Sequence, residues 1–126
     1  MTTRRVIAIC TALAFAAGAH AAFDIAAAIR AASPGDEIVV PAGVYPGPVR
    51  IDKPVTLLGD GMPVIDGGGE GDVVTITVPG AGIRGFVIRN TGKSLDRENT
   101  GVALTAERGL IENNVFEDVL FGVYLK

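Results

Sequence analysis

The sequence has no tryptophan, one cysteine and one histidine. Cys10 and His20 both lie within the first 21 residues, so the segment from Ala22 onward has neither. A disulfide inside that segment is excluded. A soft-ligand metal site built from it is excluded too, because Met62 is its only sulfur donor. Basic residues are also scarce. Without Arg4 and Arg5 the chain carries 14 acids against 9 bases. Nucleic-acid binding needs a basic face that displaces counterions, so that class is set aside. Aromatics are few, five Phe and two Tyr, whereas the 17 glycines are nearly twice the usual share of about 7%. A chain that is 48% hydrophobic, glycine-rich and poor in aromatics is not a disordered one. It suggests short strands joined by tight turns.

The N-terminal segment reads as an address. Arg4 and Arg5 precede an uncharged run from Val6 to Ala17, and Ala19 and Ala21 have the small-residue spacing that a signal peptidase recognises. Residues 1–21 are therefore expected to be a signal peptide cleaved near Ala21. The run is shorter than the ~20 residues that span a bilayer, so no transmembrane segment is expected after cleavage. Export of a segment without cysteine fits the bacterial periplasm.

Beyond the signal, Ile25, Ala28, Ile29 and Ala32 fall on one face at helical spacing. Asp24 can cap the start, and Pro34-Gly35 ends the element. After Gly35 the apolar period changes to two. Ile38/Val40, Val49/Ile51, Val55/Leu57 and Val74/Ile76/Val78 alternate with other residues, and turn clusters such as Gly59-Asp60-Gly61 and Gly67-Gly68-Gly69 separate them.

The sequence also repeats. Gly101-Val102-Ala103-Leu104 returns 21 residues later as Gly122-Val123-Tyr124-Leu125. Val74–Thr77 matches Val102–Thr105 at 28 residues, and the polar loop from Lys93 to Thr100 absorbs the difference. Ile83–Asn90 aligns with Ile111–Asp118, and Val55–Gly61 with Phe86–Gly92. Leu57, Ile88 and Phe116 are then expected at one place in successive units, and so are Val74, Val102 and Val123. Repeats built only from strands and turns imply a coil stacked on itself. The expected fold is all-β, a right-handed parallel β-helix of about three coils with a short N-terminal capping helix. The expected layout is signal peptide 1–21, capping helix 22–34 and coils 35–126. The last coil stops in mid-strand at Lys126 without a polar cap, which suggests a truncated chain.

Few residues suggest chemistry. Asp52, Asp60, Asp66 and Asp72 could form an acid–base or hard-cation cluster, but turn carboxylates more often bond their own backbone. Gly67–Gly71 lacks the Lys-Ser/Thr ending and following helix of a phosphate cradle. Asn113-Asn114 reads as corner residues. The charged insertion Lys93–Asn99 (KSLDREN) breaks the repeat, and insertions in solenoids often carry contacts. Ser94, Asp96, Arg97 and Glu98 are its candidates for touching a partner protein. No catalytic, cofactor-binding or metal-ligating residue is assigned.

The stretches DEIVVPAGVY (Asp36–Tyr45), VTLLGDGMPVIDGGGEGDVVTI (Val55–Ile76), GIRGFVIRNTG (Gly82–Gly92) and IENNVFEDVLFGVYLK (Ile111–Lys126) resemble NosD proteins. These are periplasmic β-helix proteins required to mature nitrous oxide reductase. The resemblance implies an accessory role without catalysis, alongside the ABC transporter NosF and NosY, in assembling the reductase's copper–sulfur centre. It implies that copper, if handled, is handled by the full-length protein, of which this chain carries the N-terminal part. The alternative is a carbohydrate-binding or polysaccharide-degrading β-helix, which needs carboxylates with basic or aromatic residues aligned on one strand face.

Overall fold

The structure, a computed structural model, describes residues 6–8 and 23–126. The expected signal peptide lies outside the described residues except for one strand, β1 (Val6–Ala8). Helix α1 (Ile25–Ala31) follows. Asp24 caps it by accepting the Ala27 N–H at 3.0 Å, which satisfies a donor that the first turn leaves unpaired. At the other end the Lys53 ammonium donates to the carbonyls of Arg30 and Ala32. Ile25, Ala28, Ile29 and Ala32 are buried, the face that the spacing predicts.

Twelve further strands form the coils: β2 (Glu37–Val40), β3 (Val44–Pro46), β4 (Val49–Ile51), β5 (Thr56–Gly59), β6 (Val64–Asp66), β7 (Val74–Ile76), β8 (Gly82–Arg84), β9 (Val87–Arg89), β10 (Thr100–Leu104), β11 (Leu110–Glu112), β12 (Val115–Glu117) and β13 (Phe121–Leu125). They make three parallel sheets, in the orders β1-β2-β5-β8-β11, β3-β6-β9-β12 and β4-β7-β10-β13. Every third strand from β2 returns to the same sheet. The chain therefore completes three turns between β2 and β11, and β12 and β13 continue the last rung. This is the expected right-handed parallel β-helix with a short N-terminal helix.

Alternation decides which side chains enter the core. Ile38, Leu57 and Ile83 stack in register with no exposure, and Ile111 continues the column. Tyr45, Ile65, Ile88 and Phe116 form a second column, and Val49, Val74, Val102 and Val123 a third. The apolar face of α1 belongs to the same core, so the helix closes the first coil, whose apolar end would otherwise be open.

The 28- and 21-residue offsets hold, since Val102 pairs with both Val74 and Val123. The equivalence of Leu57 with Ile88 is corrected. Leu57 pairs with Ile83, and Ile88 pairs with Ile65 in the neighbouring sheet. Residues 60–63 join β5 to β6, whereas only 85–86 join β8 to β9. That difference in corner length shifts the register while leaving two similar strand–turn patterns side by side in the sequence.

Corners bear the left-handed backbone. Asn90, Asn113 and Asp118 have φ of 61°, 55° and 50°, a region that Asn and Asp tolerate better than most residues. Asn114 ties two rungs together. Its Oδ1 accepts the Phe86 N–H and its Nδ2 donates to the Ile83 carbonyl, both at 3.0 Å.

Candidate functional site

The insertion between β9 and β10 is held at both ends. The Asn99 side-chain oxygen accepts the Ser94 N–H at 3.0 Å, and the Ser94 hydroxyl oxygen accepts the Arg97 N–H at 3.3 Å. Glu98 has φ of 51° and accepts the Tyr124 hydroxyl at 2.7 Å. That hydrogen bond to a carboxylate, with its negative charge, raises the Tyr124 pKa. Of the four candidate residues, Ser94 and Glu98 are half-buried and shape the loop, while Asp96 and Arg97 are exposed. Leu95, just before them, is 68% exposed. The loop is thus an anchored turn presenting one apolar and two charged side chains.

The four turn aspartates do not assemble. Asp52 and Asp60 are exposed. Asp72 accepts the Thr100 N–H at 2.8 Å and pairs with Lys126 at 3.2 Å. Asp66 closes β6. It accepts the Gly68 N–H at 2.8 Å, the Asn90 amide at 3.0 Å and the Arg89 Nε at 2.9 Å. These donors, the Gly68 N–H foremost, then Asn90 and Arg89, lower its pKa from 3.8 to about 2. Held as an anion by three donors, Asp66 is a poor general acid or base near neutrality. Among the described residues no three His, Cys, Asp or Glu side chains converge as metal ligands. Met62 is 41% exposed on a corner with φ of 55°, a single thioether. Gly67–Gly71 is a corner, and Gly68 N–H is spent on Asp66.

The depressed Asp66 pKa has a pH consequence. A carboxyl whose folded pKa lies below its unfolded value of about 3.9 adds stability above that value and loses it as pH falls through the folded pKa. The folded state is therefore expected to weaken between about pH 4 and pH 2 through this group. Urea unfolding midpoints at pH 5 and pH 2 check it. The Asp66→Asn variant should fall less between the two, and an equal fall would exclude Asp66 as a source.

A concave site lies at the N-terminal end, unsuspected in the sequence because its walls come from separate elements. A cleft of about 640 Å³ runs between α1 and the β3–β4 segment. Phe23, Ile25, Tyr45 and Val49 line its floor, and Arg30 and Arg50 stand at its exposed margin. The Phe23 and Tyr45 rings meet edge to face with centroids 6.2 Å apart. The Tyr45 hydroxyl donates to the Pro41 carbonyl at 2.6 Å, and burial raises its pKa. The ring is therefore fixed as a wall.

Over 86 residues the chain is 34% identical to the protein named "Probable ABC transporter binding protein NosD" from Pseudomonas aeruginosa. The match covers 67% of this chain and 20% of that protein, so the chain spans about a fifth of its relative's length. No family model and no solved structure matches.

Proposed function

We propose that the chain belongs to the NosD type and acts as an exported, periplasmic binding component that works with an ABC transporter in maturing nitrous oxide reductase. The observation that carries the reading is the 34% identity over two thirds of this chain. The β-helix supports it. Residues 1–21 act as the export signal, and the mature chain begins at Ala22. No helix among the described residues is long and apolar enough to cross a membrane.

In this role the solenoid is a scaffold for contacts. The anchored insertion presents Leu95, Asp96 and Arg97 to a partner protein, while Ser94 and Glu98 keep its shape. Any copper handled on the way to the copper–sulfur centre of the reductase needs soft ligands. The described residues offer it one thioether, so its handling falls to protein outside them.

Deleting the gene in its source organism tests the proposal. Nitrous oxide reduction by intact cells should be lost, and the purified reductase should lack its copper–sulfur centre. Both should return with the intact gene. The Asp96→Ala/Arg97→Ala double variant should fold and be exported yet restore less activity. Unchanged reductase copper and activity after deletion would reject the proposal, and impaired growth on a polysaccharide instead would point to the carbohydrate alternative.

A further inference from the structure

We propose that the cleft beside α1 binds an extended peptide, which joins the solenoid as an added parallel strand on the free edge of β4. This site stands apart from the insertion loop and does not depend on the NosD reading.

The argument starts from the ladder. β4 is the last strand of its sheet, with β7 on one side and no described strand on the other. Val49 N–H donates to the Val73 carbonyl, and Thr77 N–H donates to the Ile51 carbonyl. Val49 and Ile51 therefore spend their backbone groups on the β7 side. In a parallel ladder successive residues point their N–H and C=O to opposite sides, so Arg50 directs both toward the cleft. An edge with an open donor and acceptor is a template for strand addition.

Most edge strands are bare, but this one is walled. Helix α1 stands across the cleft, and Phe23, Ile25, Tyr45 and Val49 form an apolar floor between helix and edge. The cleft's volume of about 640 Å³ falls within the range of small ligand pockets, about 300–1,000 Å³, which suits a few residues of extended chain. In the uncleaved chain the same end of the solenoid takes up such a strand, because β1, a part of the proposed export signal, pairs in parallel with β2 in the next sheet. Recognition by strand addition draws affinity from main-chain bonds and selectivity from alternate side chains. The chemistry here selects an extended peptide with apolar residues at alternate positions, those that face the floor. Arg30 and Arg50 at the margin, beside the exposed Asp24 and Asp52, supply donors for its outward carbonyls.

The probe is a fluorescein-labelled peptide with the sequence of residues 72–78, Asp-Val-Val-Thr-Ile-Thr-Val, the segment that β4 pairs with on its other side. Fluorescence anisotropy against the full chain should show saturable binding, lost when proline replaces the peptide's central threonine. Arg50→Pro deletes the N–H that faces the cleft and leaves the β7 bonds intact, as edge positions permit. It should weaken binding by about tenfold or more, whereas Arg50→Ala should change it less than about threefold. Circular dichroism confirms that the variants fold. Should Arg50→Pro fail to fold, hydrogen exchange on the unsubstituted chain decides, with the Arg50 amide expected to slow about tenfold or more when the peptide is added. Absence of saturable binding, undiminished binding to Arg50→Pro, equal losses from both Arg50 variants, or an Arg50 amide indifferent to peptide would each overturn the proposal.

Discussion

Replacing Gly59 with alanine is expected to destabilise the protein by about 3 kcal/mol or more, at the upper end of overpacking effects. A β-carbon on Gly59 would lie 2.1 Å from the Gly85 carbonyl oxygen and 2.8 Å from the Pro63 ring. Neither neighbour is the free end of a flexible side chain. Gly85 is itself a corner residue at φ 80°, and its N–H bonds to the Glu112 carbonyl on the following rung. Moving it away would disturb two rung contacts together. The rung below holds Val40 at the same register position, fully buried, so the demand for glycine arises from the close approach of the rung above. Gly68→Ala is the matched comparison. Its φ is 67°, but nothing lies within 4 Å of an added β-carbon, and only the left-handed backbone cost of about 1–2 kcal/mol applies. Urea unfolding of both variants measures the difference. Equal losses would mean that the rungs separate more easily than close packing allows.

Because native stabilities are about 5–15 kcal/mol, a loss of that size in a small domain is a large fraction of the whole. It also shows which constraints a sequence can display. The inward set Ile38, Val40, Val49, Ile51, Leu57, Val74 and Ile76 is visible as alternation, and all are buried. The helix is visible with its cap, because Asp24 and the Ile25/Ala28/Ile29 face are local in sequence. The stacking of Val74, Val102 and Val123 is visible because the insertion announces itself as polar and explains the unequal offsets.

Contacts that join rungs are hidden until register is known. Asp66 and Arg89 lie directly opposite on β6 and β9, yet their sequence separation carries no signal. Aligning Ile65 with Ile88 makes the pair readable, whereas aligning Leu57 with Ile88 conceals it. Glu98 and Tyr124 are a similar case. The candidate loop is legible from its charge, but its anchoring to β13 depends on the three-dimensional path. The cleft is the least legible feature, since Val49 reads as an ordinary core position and nothing in the sequence sets Phe23 or Tyr45 beside it. Only the relative placement of α1 and the β4 edge leaves space between them.

Phe86 shows how a corner and the core depend on each other, and Phe86→Ala is expected to cost about 3–5 kcal/mol. It is the largest side chain among those with less than 2% exposure. It sits on the short link between β8 and β9, where the chain turns and a bulky inward group must fill the angle between two sheets. Its backbone is tied independently of its ring, by N–H to Asn114 Oδ1 at 3.0 Å and by its carbonyl to the Val115 N–H at 2.8 Å. Truncation therefore leaves the hydrogen bonds able to persist around a cavity. Asn114→Ala is the complementary change: it keeps the ring but strips partners from the Phe86 N–H and the Ile83 carbonyl, at about 1–3 kcal/mol. Phe86→Leu, which restores much of the volume, should recover more than half of the alanine loss. If Asn114→Ala proved the more damaging, or Leu no better than Ala, the corner would be held by its hydrogen bonds, and the ring would be filling space that the rungs could close without it.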